Sequence, residues 1–416
     1  MVVTGPISDL CLQPTRAEWQ RFLRYASWMR QLRLERNSGI SDHVLRMISV
    51  NSSNGILFPR LRELTWKGRS YPLERHFLSP HLTHFMFLCP SHMNGLPDEL
   101  VSNLTSVVVE LQTSSLQSLR IDLHVTGEGI PTNLRDAISS AVIRCGTSLT
   151  YLSVPTLLSD AATKHIMQLP KLAEWVARSG PPRIPDLSVS DAFPQLENLK
   201  LHTEASLEWL PLFDANTRRT PSGQGTYTPT NRGPCSKLTT LACWVEVSLD
   251  ATFISTIMVF RGLVNLSLQP PCFGQGACGF HLTDDDIMGI ATTLPNLEDA
   301  VFGFACSANS CRTTVSSLLF LSALCKNLAW LGIHFNTTNL RRDLKSMAEN
   351  PRLRDLCALP KCQVTELPAS HAPLQLEDGD YEPVVAGFRC IFPSLRGILG
   401  KGAGWNRVNS KLWDEE

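Results

Sequence analysis

Two stretches of this chain gather side chains of the kind that bind metals or attack electrophiles. His81, His84, Cys89 and His92 lie close together in HLTHFMFLCPSH, and Cys272, Cys278, His281, Cys306 and Cys311 form the densest thiol group. Zinc is held by four such donors, often delivered in pairs two to four residues apart. The first group alternates with Leu82, Phe85 and Phe87, so in a strand His84 would point away from Phe85 and toward solvent. The second lacks a CxxC knuckle and reads as buried or loop thiols. Gly274–Gly279 (GQGACG) has no Lys-Ser/Thr to hold a phosphate, and neither a nucleophile elbow nor an HExxH occurs. Ser, His and Asp residues exist, but no spacing brings them together as a triad. The expectation is a chain with no catalytic residues, no metal and no cofactor.

The elements that would position any site come from a repeat. An apolar residue, two variable residues, an apolar residue, one variable and an apolar residue recur, often after a proline. Clear copies are Leu61/Leu64/Trp66, Leu116/Leu119/Ile121, Leu149/Leu152/Val154, Leu196/Leu199/Leu201 and Leu238/Leu241/Cys243. Leu263/Leu266/Leu268, Leu297/Ala300/Phe302 and Leu328/Leu331/Ile333 continue them. Weaker copies fall at Met29/Leu32/Leu34, Leu82/Phe85/Phe87, Leu172/Trp175/Ala177, Leu353/Leu356/Ala358 and Leu395/Ile398. About thirteen copies at intervals of roughly 21 to 42 residues make an irregular array against the ~20–29 residues of regular leucine-rich repeats.

The last two apolar residues of each copy are two apart and share a strand face, which one strand cannot bury alone. Stacked copies would form a parallel sheet, with return segments crossing on its other side. Ser41, Ser159 and Thr283 are natural N-caps for three such helices, each followed by an Asp that suits the positive end of the helix dipole. The fold class expected is α/β: a leucine-rich-repeat-like solenoid with parallel strands on the concave face and helices or irregular segments on the convex face.

Residues 1–28 would form a helical cap, 29–399 the solenoid and 400–416 a tail. Within the solenoid, 214–236 reads as a Gly/Pro/Ser-rich flexible insertion and 361–382 as a polar, exposed loop.

Hydrophobic residues make up 43% of the chain, enough for a continuous core, while Lys+Arg and Asp+Glu balance at 38 each. A net charge of zero argues against a general nucleic-acid or anionic-membrane binder. No run approaches the roughly 18 apolar residues of a membrane span, and the N-terminus has no secretory pattern. Thirteen scattered cysteines fit free thiols in a reducing compartment, so a cytoplasmic or nuclear location is expected, and an end-capped solenoid is expected to be a monomer.

The L/I-S/T-D helix starts with Pro-x-Leu-x-x-Leu strands resemble the repeats of F-box proteins, in particular the fungal group with divergent leucine-rich repeats. The opening Arg16–Leu34 is similar to that group's helix before the first repeat, and Phe392–Trp413 to its closing strand and terminal segment. The resemblance implies a substrate-recognition region of a ubiquitin-ligase receptor. An F-box of the roughly 40–50 residues the resemblance implies is not evident before Trp19. LPDEL (Leu96–Leu100) echoes an F-box opening but lies inside the array and reads as a repeat helix start. The partners implied are a protein target and, with an F-box upstream, the cullin-ligase adaptor.

Function would then reside in the strand residues that alternate with the buried ones: Arg33, Glu35, Glu63, Thr65, Lys67, Arg120, Asp122, Lys200, His202, Trp244, Ser267, Gln269, Trp330 and His334. Trp244 and Trp330 are either anchors for a partner or fillers between irregular repeats. Two other readings stay open: a leucine-rich regulator of another enzyme, of GTPase-activator or inhibitor type, and an orphan fragment without an F-box.

Overall fold

The structure is a computed structural model. It describes residues 14–35, 40, 42–52, 55–67, 75–89, 96–111, 115–123, 129–155, 158–177, 192–203, 235–245, 251–269, 281–303, 312–368, 374, 376, 378–400 and 403–413. The chain divides into two compact units, Met1–Leu196 and Glu197–Glu416.

In the first unit, strands β1 (Gln31–Glu35), β2 (Glu63–Lys67), β3 (His84–Leu88), β4 (Ser118–Asp122), β5 (Tyr151–Val154) and β6 (Glu174–Ala177) pair in chain order, all parallel. The helices are α1 (Arg16–Ala26), α2 (Asp42–Asn51), α3 (Asp98–Glu110), α4 (Thr132–Arg144) and α5 (Asp160–Met167). In the second unit β7 (Asn198–Thr203), β8 (Thr240–Val245), β9 (Asn265–Gln269), β10 (Asp299–Phe302) and β11 (Trp330–Ile333) repeat the scheme. They alternate with α6 (Ala251–Ile257), α7 (Asp284–Thr293) and α8 (Val315–Leu324). Helices α9 (Leu340–Glu349), α10 (Pro351–Cys357), α11 (Tyr381–Ile391) and α12 (Ala403–Trp413) follow, with a parallel pair β12 (Glu366–Pro368) and β13 (Gly397–Leu399).

Local chemistry explains why each copy folds alike. The first leucine of a copy closes a tight turn by donating its N–H to the carbonyl three residues back: Leu61 to Phe58, Leu196 to Phe193, Leu297 to Leu294 and Leu395 to Phe392. Pro59, Pro194, Pro295 and Pro393 take the second position of these turns, where proline's fixed φ costs nothing. That accounts for the prolines ahead of the repeats.

The next residues lock copy to copy. The carbonyl just before each strand accepts two amides from the following copy. Arg30 receives Arg62 and Glu63, Arg62 receives Thr83 and His84, and Thr83 receives Gln117 and Ser118. The same pair of hydrogen bonds recurs at the carbonyls of Glu197, Thr239, Val264 and Glu298 in the second unit. Threonine strengthens some rungs, as Thr83 Oγ1 donates to Arg62 O at 3.1 Å and Thr150 Oγ1 to Gln117 O at 3.0 Å.

The core follows from the alternation. Leu64, Phe85, Leu119 and Leu152 stand in register and are 1% exposed or less, as are Leu199, Leu241, Leu266, Ala300 and Leu331. Full burial of each such leucine contributes about 1.5–3 kcal/mol. Helices stack in the same order as the strands, α3 on α4 and α4 on α5, then α7 on α8.

Side chains satisfy the helix ends across copies. Arg144 Nη2 donates to Val108 O and Val109 O at 3.1 Å, His165 Nε2 lies 2.9 Å from Cys145 O, and Ser159 N donates to Ser139 Oγ at 3.1 Å. Ser159 caps α5 through Ala162 N, and Thr283 forms a capping box with Asp286 on α7. Ser41 lies outside the described residues, although α2 begins at Asp42. LPDEL leads into α3, with Pro97 at its N-cap.

Several expectations change. Leu353/Leu356/Ala358 is no strand: Leu353 and Leu356 sit in α10, and the strand of that copy is β12. The three-residue step between two leucines is one turn of helix as well as the opening of a repeat, and nothing in that segment excludes the helix. The span 361–382 is not simply an exposed loop. Cys362, Val364 and Leu367 are 2% exposed or less, and Tyr381, at its end, opens α11. Residues 369–373 lie outside the described residues, as does 214–234 of the Gly/Pro/Ser-rich stretch.

The segment 400–416 contains α12, whose Trp405, Val408 and Leu412 are buried. Its Asn409 accepts from Ile398 N and donates to Ile398 O, both at 2.7 Å. One amide side chain thereby satisfies the backbone groups that a further strand would have paired with β13.

Candidate functional site

The groups that suggested metal chemistry are held apart. His84, at the start of β3, is exposed, with Nδ1 at 2.9 Å from Thr83 Oγ1. Cys89 follows the same strand on the opposite face and is 3% exposed. His81 is exposed, and His92 lies outside the described residues. Of the second group only His281 is described; Cys272, Cys278, Cys306 and Cys311 lie outside the described residues. Among the described residues, no three His, Cys, Asp or Glu side chains converge to hold a metal.

The thiols inside the core are poor nucleophiles. Burial pushes the Cys235 and Cys243 thiols far up from their ordinary value, and Cys325 is pushed up to about 12 by burial and by neighbouring Cys362. Cys390, on α11, is the exposed thiol among those described. A thiol reagent added to the native protein should therefore label Cys390 at least about tenfold faster than Cys235, Cys243 or Cys325. Comparable rates, read by mass spectrometry of the tryptic peptides, would contradict the burial described.

What the repeat does present is the sheet face away from the buried residues. In the first unit Arg33, Thr65 and Arg120 stand in one register row with Met86 and Ser153, and Glu35, Lys67 and Asp122 in the next with Leu88. Glu63 opens a third row and its Oε2 accepts from Gln31 Nε2 at 2.5 Å. Asp122 is on this face but only 3% exposed and pairs with Arg120 at 3.7 Å, so its carboxylate serves the protein itself. Asp122 therefore offers no carboxylate to a partner on this face.

In the second unit Lys200 and Ser267 share a row, and His202, Trp244 and Gln269 share the next. The imidazole of His202 lies on the Trp244 indole with ring centroids 4.3 Å apart and planes within 6°. Both rings are half-buried on the strand face and do not enter the core. Gln269 Nε2 donates to Ser267 Oγ at 3.1 Å, which fixes the amide beside the ring pair. Trp330, at the start of β11, is 38% exposed.

His334 departs from expectation. It is 2% exposed, its N–H bonds Phe302 O, and Thr313 Oγ1 donates to its carbonyl at 2.6 Å. One residue past the end of β11 the chain turns into the core, so the alternation that held along the strand no longer applies.

Strands opened by a buried leucine, parallel and in chain order, with helices stacked in the same order, define a leucine-rich-repeat-like α/β protein. No protein-family model matches the sequence. Over 238 residues the chain is 24% identical to the F-box protein MAX2 homolog A of Petunia hybrida, covering 50% of this chain and 30% of that protein. The chain thus spans less than a third of that relative's length. Among solved structures it is similar to a chain of the yeast Rad7–Elc1 complex, at 14% identity over 94% of this chain and 86% of that one, with a TM-score of 0.39. It is also similar to an internalin (inlF) of Listeria monocytogenes, at 14% identity over 77% of this chain and 85% of that one, with a TM-score of 0.35. No described helix is long and apolar enough to cross a membrane.

Proposed function

We propose that this chain is a non-catalytic protein-recognition scaffold, the target-binding part of a ubiquitin-ligase receptor of the F-box kind. The observation that carries the reading is the strand face of the second unit opposite its buried leucines, where Trp244 stacked on His202 stands beside Lys200, Ser267 and Gln269. A flat aromatic held by a neighbouring ring loses little side-chain entropy on binding, which is why tryptophan is enriched among the residues that dominate protein interfaces. The partial identity to an F-box protein supports the ligase context. In this reading the sheet holds a target while other proteins of the assembly transfer ubiquitin.

The test uses tagged chain together with any coding sequence upstream of Met1, expressed in its own cells. The cullin-ligase adaptor should co-purify with it. Proteins that lose ubiquitin when the gene is deleted should fail to regain it with the Trp244→Ala chain. No adaptor recovered with the upstream sequence included overturns the ligase context. Ubiquitylation equally restored by Trp244→Ala removes the strand face from the reading.

A further inference from the structure

The helical side of the first unit has a notch. Glu63 on β2 faces His84 on β3 only 21 residues later, whereas Gln31 faces Glu63 after 32 and His84 faces Ser118 after 34. Among the described residues, that short return holds a single 3-10 turn, Arg75–Phe77, where the copies on either side hold α2 and α3. A helix with its side chains fills a cylinder about 10–12 Å across, and one turn does not. The space left over is a cavity of about 410 Å³, with Ile56, His76, Leu78, Pro80 and Glu110 among its walls. Its floor is fixed. Phe77 is buried against Phe58 at 5.8 Å and Trp66 at 5.5 Å between ring centroids, Leu57 N donates to His76 O at 3.0 Å, and Ser79 Oγ donates to Pro59 O at 3.0 Å.

The rim is apolar. Val50, Val109 and Ile143 each stand one residue before the end of their helix, at the same end of α2, α3 and α4, and all three are exposed, as is Ile56 in the notch wall. The repeat does not impose this. In α5 the equivalent residue, Ile166, is buried, and in α7 it is Thr292. Single exposed apolar side chains are ordinary, but four of them around a ready-made cavity mark a contact surface. Glu110 completes the rim as the last residue of α3, where an acid opposes the helix dipole and the last turn carries no basic residue. Among the described residues no cation pairs with its carboxylate. Arg144, on the next helix, gives Nη2 to Val108 O and Val109 O instead.

We infer that the notch receives one amphipathic α-helix of a partner protein, laid where the short copy has only a turn, with a Lys or Arg set against Glu110. Helices pack with axes about 8–10 Å apart, so a guest helix between α2 and α3 continues the stacking that α3, α4 and α5 already follow. Its apolar residues at i, i+3 or i+4 and i+7 cover Val50, Ile56 and Val109, and its cation answers the unpaired acid. An extended segment finds no strand edge here, because β2 and β3 are paired to each other and to β1 and β4. The fixed floor leaves little ordering cost on this side of the contact. This surface is on the helical side of the first unit and goes beyond target recognition by the strand face of the second, on which it does not depend.

The experiment measures fluorescence anisotropy of the full chain with three degenerate pools of peptides about 18 residues long, or five helical turns. The first has Leu, Ile or Phe at helical spacing with Lys or Arg beside them, the second adds a central proline, and the third has Glu in place of each Lys or Arg. The basic helical pool should bind at least about tenfold tighter than either of the others. Val109→Asp should abolish that binding, and Glu110→Lys should pass the preference to the acidic pool. Met288→Asp, which removes an exposed apolar residue of α7, should leave both unchanged. Val109 and Glu110 are themselves exposed, so their variants keep the fold, as circular dichroism checks, and the Glu110→Lys reversal decides the matter by itself. Failure of the basic helical pool to bind, equal binding of the proline pool, no reversal with Glu110→Lys, or equal loss with Met288→Asp overturns the proposal, whether or not the cullin adaptor is recovered. In sedimentation equilibrium the chain alone should be a monomer. A dimer that Val109→Asp dissociates assigns the notch to a second copy and overturns the proposal as well.

Discussion

Trp405→Ala should lower the stability of the second unit by about 3–5 kcal/mol, with a fall in melting temperature on the order of 10 °C. The indole is fully buried, and it meets Phe335 at 6.4 Å and Phe388 at 6.3 Å between ring centroids. Phe335 and Phe388 in turn stand 6.4 Å apart, so three rings from three segments form one triangle, of which α12 supplies the indole. Truncation removes a large apolar side chain and leaves a space that its rigid neighbours cannot close. The backbone beside it has no room to adjust. A Cβ at Gly404 would lie 2.1 Å from Leu374 O, so the helix already rests directly on that carbonyl. Losing α12 also removes the Asn409 amide from β13, and the last pair of strands should fray before the rest. Trp405→Phe keeps most of the ring volume and should cost less than half as much. Urea unfolding followed by circular dichroism measures both; a loss below about 1 kcal/mol for alanine would mean that α12 is not part of the core.

The second large effect belongs to Asp284, the first residue of α7. Its Oδ1 accepts from Thr314 N at 2.7 Å and Ser317 Oγ at 2.5 Å, and its Oδ2 accepts from Thr314 Oγ1 at 2.6 Å. Thr314 is the N-cap of α8, so one carboxylate at the start of a helix organises the start of the next. Hydrogen bonds to a charged acceptor contribute about 1.5–3 kcal/mol each in favourable settings, but here they share one half-buried group and are not additive. Asp284→Ala should destabilise the second unit by about 2–3 kcal/mol, and Asp284→Asn by roughly half that, because the Thr314 hydroxyl can reverse its role toward an amide. The adjacent Asp285 is exposed, and its alanine variant serves as the control with an expected change within about 0.5 kcal/mol. Equal effects at the two positions would assign the loss to the helix dipole and not to the bonds between helices.

The strands were legible because each copy announces itself twice, by the turn that its leucine closes and by the two-residue step that follows. Where the step is weaker, as at Leu172/Trp175/Ala177, the strand still forms because β5 supplies the partner edge. The error at Leu353 came from a spacing that helix and strand share. The misplaced exposure of 361–382 came from judging the stretch by its acids, whereas its apolar residues, Cys362, Val364 and Leu367 among them, are buried.

Alternation places Arg33, Thr65, Lys200 and Trp244 on the strand face opposite the buried leucines, because within a strand the side-chain direction depends only on parity. It failed at His334, just past a strand end, and it was silent on the burial of Asp122 by its pairing with Arg120. Asp284 was visible as a helix-start acid, but that it serves the following helix depends on how α7 and α8 stack.

The carbonyl rung has a consequence for how such a chain can change over generations. Its contacts tie Thr83 to Arg62 across 21 residues, Thr150 to Gln117 across 33 and Thr239 to Glu197 across 42. Alignment of neighbouring copies is thus set locally, by two amides and one oxygen, and is indifferent to how much polypeptide intervenes. Lengthening a connection adds only a logarithmic entropy cost, so segments between rungs are free to grow, shrink or be exchanged while every strand keeps its place.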